Sequence, residues 1–227
     1  DGSAVEILNA GNALGTHDIS VPSGAGEMGV AGTTTNRAPT GLDFMAGSTA
    51  LGVEWHSAAD FLADGLKMSA SYSTDSGAAK GATSRVENSW GVGATYVTSA
   101  GDTALTVGAG FAGGDVANTS TQAAGGKEGF TIGVSAVTGD LTVAVGYADG
   151  DSFDPIDTAG GNTANMDING SVTKVGISYV TGDITLAVGG TSGEATDVNY
   201  GTAPTTDDAK DTLSASATYA VASGVSA

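Results

Sequence analysis

The sequence predicts an all-β fold, an antiparallel transmembrane β-barrel. Three observations predict it. Apolar residues alternate with small ones in short stretches, tight turns alternate with long polar connections, and aromatic residues recur at both ends of the stretches. All three are expected of strands that present one face to lipid and the other to water. No run of 18 or more apolar residues occurs, so a membrane-spanning helix is not predicted.

The composition narrows the classes of function. The 227 residues include no cysteine, which excludes disulfides and thiolate metal sites. Twenty-five acidic residues against seven basic ones give a formal net charge of −18. So few cations cannot neutralise a phosphate backbone, and a nucleic-acid partner is therefore not expected. There are 37 glycines and only 6% aromatic residues, whereas a soluble core of this size normally uses more large side chains.

The clearest hairpin is GISYVTGDITLAVGG at residues 176–190, where apolar residues occupy every second position around a Thr-Gly-Asp turn. Such alternation around a Gly-Asp turn is typical of a β-hairpin. The intervening positions hold Gly, Ser, Thr and Ala, and we expect them to face a water-filled lumen that no core has to fill. The same alternation recurs at residues 66–72, 90–111, 129–151 and 213–219. Together these stretches predict roughly nine or ten strands of about eight to ten residues each.

The connections between strands are of two kinds. Short turns alternate with four long polar connections at residues 74–88, 112–128, 148–172 and 190–211. In a meander all the short turns then lie at one end of the sheet and all the long connections at the other, as in outer-membrane barrels. Residues 48–69 fit less well, and we expect a hairpin there with a longer turn around residues 58–64, or a short helix.

Eight aromatic residues on the apolar face are predicted to form two girdles. Those beside long connections are Tyr72, Trp90, Phe111, Phe130 and Tyr147, and those before short turns are Tyr96, Tyr179 and Tyr219. Aromatic rows at both edges of an apolar band are expected where the outer solvent is lipid. A soluble sandwich would instead bury its aromatic residues near the middle of its strands.

The hairpins VTGDLTVAVGY and VTGDITLAVGG and the opening DGSAVEILNAGNALGTHDIS resemble the trimeric general porins of Gram-negative bacteria, particularly the alphaproteobacterial, Rhodobacter-like type. The resemblance implies a barrel of about 16 strands in the cell outer membrane, so this chain looks like a partial porin. It also implies that residues 1–40 form an inward-folded constriction loop and residues 41–227 the barrel strands. The implied partners are outer-membrane lipid, lipopolysaccharide, small ions and solutes, and two further copies of the chain.

A charged constriction follows from this interpretation. The loop acids Asp1, Glu6, Asp18 and Glu27 would face bases on the pore wall, which are Lys67, Lys174, Arg37 and Arg85. Opposed charges of this kind select permeating solutes by charge. By strand alternation Lys67 and Lys174 point to the lumen, although alternation equally allows them to be solvated charges near the rims.

Other chemistry has weaker sequence signals. No cofactor is required by this interpretation, and calcium at Asp149, Asp151 and Asp154 is the one metal site we expect, since hard oxygen ligands suit Ca²⁺. Solvated acidic loops are the plainer interpretation. His17 and His56, the only histidines, stand in no ligand spacing and are interpreted as solvated or satisfied polar residues. GAGFAG at residues 108–113 matches a dinucleotide-binding fingerprint formally but opens no helix.

The sequence therefore predicts a channel for passive diffusion of ions and small hydrophilic solutes, with a preference for cations, and not an enzyme. Two other classes stay open. A secreted acidic adhesin or surface-layer protein would share the composition but would bury its aromatic residues. An enzyme in an outer-membrane barrel would need a Ser/His/Asp-type constellation, which local motifs do not reveal.

Overall fold

The computed structural model describes residues 2–8, 12–24, 26–29, 52–74, 86–116, 125–154, 166–198, 207–222 and 225–226. Its elements in chain order are β1 (Ala4–Leu8), α1 (Ala13–Thr16), β2 (Ser20–Ser23), β3 (Gly26–Gly29), β4 (Gly52–His56), β5 (Leu66–Ser73), β6 (Val86–Ala100), β7 (Thr103–Val116), β8 (Gly125–Thr138), β9 (Leu141–Asp154), β10 (Met166–Thr181), β11 (Ile184–Val198), β12 (Asp207–Ala222) and β13 (Val225–Ser226). Within these residues, no helix has the length and apolarity needed to cross a membrane.

The main sheet is an antiparallel meander. Its eleven strands lie in the order β1-β4-β5-β6-β7-β8-β9-β10-β11-β12-β13, so from β4 onward each strand pairs with the next one in the chain. The remaining two, β2 and β3, pair with each other in a separate small sheet. The predicted all-β antiparallel fold is confirmed.

Three two-residue turns join the long strands, and each begins with glycine. Gly101, Gly139 and Gly182 have φ between 56° and 62°, and the aspartate that follows each of them has no positive φ. A positive φ at the first central residue alone is the pattern of a type II′ turn, whose twist matches that of the flanking strands. The Gly-Asp pair in the sequence therefore encodes these hairpins directly.

The long strands extend further than the sequence predicted. Strands β6 to β12 have 14 to 16 residues each, so the expectation of about eight to ten was wrong. The apolar alternation marks only the part of a strand that needs an apolar face. Beyond it, backbone pairing continues through polar residues, for example where Lys127 lies opposite Ser152 and Glu128 opposite Asp151. The long connections are correspondingly shorter than expected.

The two faces of the sheet differ in burial in the opposite way to a soluble protein, since the large apolar side chains are exposed and the small or polar ones are buried. On the outer face the large apolar side chains are exposed, with Ile132 and Val145 at 47% and Ile177 at 44%. Their neighbours on the other face are small and buried, with Thr131 at 2% and Ala144 at 1%. We call this second face the inner face. A sheet that exposes its apolar side chains is stable only if a non-aqueous solvent or a partner covers them.

The connection between β4 and β5 is a series of turns and bends at residues 57–65 and contains no helix. Phe61 folds back there to form an edge-to-face contact with Trp55, with ring centroids 5.7 Å apart. Within the described residues, the helical turn lies instead at Ala13–Thr16, which the sequence analysis assigned to a loop.

Candidate functional site

Residues 12–24, which contain α1 and β2 and are called the inner segment below, lie across the inner face of the sheet. The α1 turn contacts β5, β6 and β7, while β2 contacts β9, β10, β11 and β12. Leu14 and Val21 are at most 2% exposed and form an apolar cluster with residues of the main sheet, which we call the wall. The wall members of that cluster are Ala112, Ala144, Ala148 and Val172. The protein thus has a small core between segment and wall.

Glycines on the inner face make this approach possible. A Cβ added at Gly110 would lie 2.7 Å from the Cα of Leu14, and one at Gly133 would lie 2.6 Å from the Cβ of Ile19. A Cβ at Gly176 would lie 2.8 Å from the carbonyl carbon of Pro22. We expected the small residues of the inner face to line water only. Many of them are small instead because the inner segment packs directly against the backbone of the wall.

The α1 turn is held to the wall by hydrogen bonds at both ends. At its start the Oδ1 of Asn12 caps the turn by accepting a bond from the Gly15 amide at 3.0 Å. The Ala13 amide donates to the Oγ of Ser71 on β5 at 3.0 Å. At its end the Thr16 hydroxyl donates to the Oε1 of Glu54 on β4 at 2.7 Å. Glu54, at 2% exposed, is therefore a buried wall carboxylate with a partner on the inner segment.

His17 follows α1 and is hydrogen-bonded through both ring nitrogens. Its Nδ1 lies 2.7 Å from the Oγ1 of Thr95 and its Nε2 lies 2.9 Å from the Oγ of Ser69. The same Ser69 oxygen lies 2.9 Å from the Nδ1 of His56. Burial first, then the charges of His56 and Lys67, lower the pKa of His17 from 6.5 to about 4. His17 is therefore neutral at pH 7, with one ring nitrogen donating and the other accepting.

Two of the predicted constriction residues, Asp18 and Lys174, interact with each other. Asp18 on the inner segment interacts electrostatically with Lys174 on β10, and Lys174 is 2% exposed. Lys67 is exposed on the face of β5 that carries the buried Ser69, and its charge reaches His17. That these residues form a pore constriction stays a prediction.

Glu6 lies in a different element from the one expected. Residues 4–8 form β1, which pairs with β4 so that Glu6 lies opposite Glu54. These residues therefore belong to the sheet, and within the described residues the inner segment begins only at Asn12. Glu6 still faces the same cluster, since its Oε2 lies 3.8 Å from the Nε2 of His56.

The other predicted charges are not described in full. Glu27 lies in β3, but its side chain falls outside the described residues. Asp1, Arg37 and Arg85 also lie outside the described residues.

Sequence reasoning missed the cluster of Glu54, Ser69, Thr95 and the two histidines. One signal was available. Glu54 lies between the outward-facing Val53 and Trp55, so alternation alone places its carboxylate on the inner face. The histidine contacts had no local signal, because the partners of His17 are 52 and 78 residues away along the chain.

The cluster contains the residue types of a serine hydrolase, but its geometry is not that of a catalytic triad. Ser69 is 4% exposed and contacts His17 of the inner segment that covers it. Both carboxylate–imidazole distances, from Glu6 and from Glu54 to His56, are 3.8 Å and too long for hydrogen bonds. The Ser69 hydroxyl instead links an imidazole of the inner segment to an imidazole of the wall.

The aromatic residues lie on the outer face in two groups. Near the long connections, Tyr72 pairs with Trp90 and Phe111 with Phe130 across neighbouring strands. The Trp90 and Phe111 rings are 5.4 Å apart. Tyr147 continues this row, with its ring 5.9 Å from that of Phe130. Near the short turns, the exposed residues are Tyr96 at 43%, Tyr179 at 47% and Tyr219 at 50%. Their role as membrane girdles stays a prediction.

The expected calcium ligands are described in part. Asp149 accepts a hydrogen bond from the Tyr147 hydroxyl at 3.0 Å. Asp151 and Asp154 lie in β9, with side chains outside the described residues. In the part of the chain that the structure describes, no group of three His, Asp or Glu side chains could hold a metal ion. A calcium site here stays a prediction.

Comparison with known proteins agrees with this architecture. A family model described as Gram-negative porin matches residues 8–227. No curated protein matches the sequence. The family match favours a membrane channel over an adhesin of similar composition.

Proposed function

The chain belongs to the Gram-negative porin family, and from this premise we propose that it forms a trimeric, cation-preferring outer-membrane channel for passive diffusion. As a porin it is a β-barrel channel of the outer membrane, through which small solutes pass. We further propose that ions and small hydrophilic solutes cross its water-filled lumen without any bond being made or broken. No cofactor is needed for this, and any Ca²⁺ would bind the external acidic loops.

The observation that carries the channel function is the reversed burial of the sheet. Large apolar side chains are exposed on the outer face, whereas serine, threonine, glycine and charged residues lie on the inner face. Lipid and lipopolysaccharide are the partners proposed for the outer face, since its exposed side chains require an apolar solvent. The inner segment then lies inside the lumen, where it narrows the passage and places charge beside it.

Cation preference is supported by the charges near the inner segment. The three acids Glu6, Asp18 and Glu54 outnumber the two bases Lys67 and Lys174, and the buried His17 is neutral at pH 7. The whole chain adds a formal charge of −18. A lumen with an excess of negative charge raises the local concentration of cations. Trimer formation rests on the family and on the small-residue outer face of β12, where Ala215 and Ala217 are exposed.

Planar-bilayer recording of the detergent-purified full-length protein tests this proposal. We expect insertions that give conductance in groups of three equal steps, and a reversal potential on the cation side in a KCl gradient. Single equal steps would contradict the trimer, and a reversal potential on the anion side would contradict the cation preference. A protein that stays soluble without detergent and never conducts would contradict the channel itself.

Neutralising Lys67 is expected to increase cation selectivity. Its ammonium group is exposed on the inner face, so it acts on passing ions through water. A unit charge about 10 Å from the path of an ion contributes about 0.4 kcal/mol in water, which changes the local concentration of cations about twofold in one direction and that of anions about twofold in the other. Lys67→Gln should therefore raise the ratio of cation to anion permeability about fourfold in reversal-potential measurements. Asp183→Asn, which removes a charge from an exposed tight turn, is the matched control and should leave the ratio nearly unchanged.

A further inference from the structure

We propose that His17 is the positioning residue that docks the inner segment on the wall while it is neutral and releases the segment when it is protonated, so that acid narrows the channel. The inference rests on the proposed function and adds a regulation to it. It arises from the hydrogen-bonded bridge of His17, Ser69 and His56 and from the packing beneath the His17 ring.

The His17 ring is enclosed from three sides. Its Nδ1 is hydrogen-bonded to the Oγ1 of Thr95 on β6 at 2.7 Å, and its Nε2 to the Oγ of Ser69 on β5 at 2.9 Å. Beneath it lies Gly93, where an added Cβ would be 2.6 Å from the ring carbon Cδ2. The residue is 4% exposed. An imidazolium formed here would exchange water for two neutral hydroxyls, which costs free energy in the docked state.

The hydroxyl of Ser69 limits how protonation can be accommodated. It has one hydrogen and stands between two imidazole nitrogens, His17 Nε2 and His56 Nδ1. When His17 is protonated, both of its nitrogens donate, so Ser69 has to accept from His17 and its own hydrogen is left for His56. If the Nδ1 of His56 carries a hydrogen, both rings donate to the same oxygen and the Ser69 hydrogen has no acceptor on either ring. Protonation of His17 therefore restricts the bridge to one arrangement.

The charged groups around His17 add to this effect. His56 on β4 and Lys67 on β5 repel a cation at His17. The Glu54 carboxylate on β4 accepts a hydrogen bond from Thr16, and Asp18 interacts with Lys174 of β10. Glu6 on β1 lies on the far side of His56, 3.8 Å from it. The nearest acids therefore already have partners, while the nearest bases oppose protonation.

The direction of the pH effect follows from the lowered pKa. In the docked state His17 titrates at about 4, whereas a released, solvated histidine titrates at 6.5. The released state therefore binds more protons between these values, and docking weakens as the pH falls through this window. A difference of this size shifts the docking equilibrium by on the order of 100-fold. Because the wall lies behind the segment, a released segment can move only into the lumen.

Single-channel recording from pH 7.5 to 3.5 tests the inference on the full-length protein. We expect the wild-type conductance to fall in a step between pH 6.5 and 4. His17→Gln keeps an amide that can donate and accept but cannot titrate there, so this step should disappear. His56→Gln, the matched control, should keep the step but make it smaller, because removing a neighbouring charge that opposes protonation raises the pKa of docked His17 towards its released value. An unchanged step in His17→Gln, or no step in the wild type, would overturn the inference.

Amide hydrogen exchange of residues 12–24, corrected for the intrinsic effect of pH, gives a readout that does not depend on conduction. The wild type should lose protection across the same window. Since the chain has only two histidines, His56→Gln leaves one, and its ring can be titrated by NMR without ambiguity. Loss of protection that does not follow this ring titration would overturn the inference, even if His17→Gln does not fold. A protein that shows the exchange step but conducts at no pH would contradict the proposed function alone.

Discussion

Gly176→Val is expected to push the inner segment off the wall and to reduce the conductance of the channel. A Cβ at Gly176 would lie 2.8 Å from the carbonyl carbon and 3.1 Å from the nitrogen of Pro22. Both contacts are with backbone, so no side-chain rotation can relieve them and the segment itself has to move. Overpacking of this kind costs about 1–3 kcal/mol. The displaced segment enters the lumen, so single-channel conductance and the midpoint of thermal unfolding in detergent should both fall.

Gly190→Val is the matched control for this substitution. Gly190 lies on the neighbouring strand β11, where it pairs with Val175. A Cβ there would meet only the carbonyl oxygen of Thr212, at 3.4 Å. Valine is well suited to a strand, and we expect conductance and unfolding midpoint close to wild type. If Gly190→Val and Gly176→Val behave alike, the inner segment does not pack against the wall as described.

The fold could be predicted from the sequence because it depends on local signals. The hairpin at residues 176–190 is recognisable from its alternating apolar residues and from a Gly-Asp pair whose glycine takes a positive φ. Alternation failed at the ends of the strands, where an element such as β10 continues to 16 residues by backbone pairing alone. Polar residues paired in water carry no periodic signal that distinguishes them from a loop.

The candidate site could be predicted only as a list of charges. Alternation tells which face Lys174 occupies, but it gives neither the burial to 2% nor the interaction with Asp18. The bridge of His17 and Thr95 joins residues 78 positions apart, which no local pattern encodes. The glycines of the wall were visible in the sequence, but their meaning depends on the inner segment that approaches them. Contacts between distant parts of the chain could therefore not be predicted from the sequence alone.

The second large effect is expected from a charge on the outer face. Ile177 is 44% exposed and lies between Val143 and Val188 of the two neighbouring strands. It is also two residues from Tyr179, on the side away from the tight turn. In lipid, a lysine here would sit near the middle of the apolar band and cost about 2–4 kcal/mol. Ile177→Lys should lower the free energy of unfolding by that amount, measured by guanidinium titration in phospholipid vesicles.

Thr181→Lys places the same charge on the same strand and the same face, but next to the tight turn at Gly182. Near the interface a lysine costs about 0–1 kcal/mol, because its ammonium group reaches water. The difference between the two variants therefore measures depth in the bilayer, since side-chain chemistry is held constant. On an exposed face of a soluble protein both substitutions would stay within about 0.5 kcal/mol of wild type. A large cost at residue 177 together with a small one at residue 181 is expected only if lipid covers the apolar face, and equal small costs would contradict that membrane orientation.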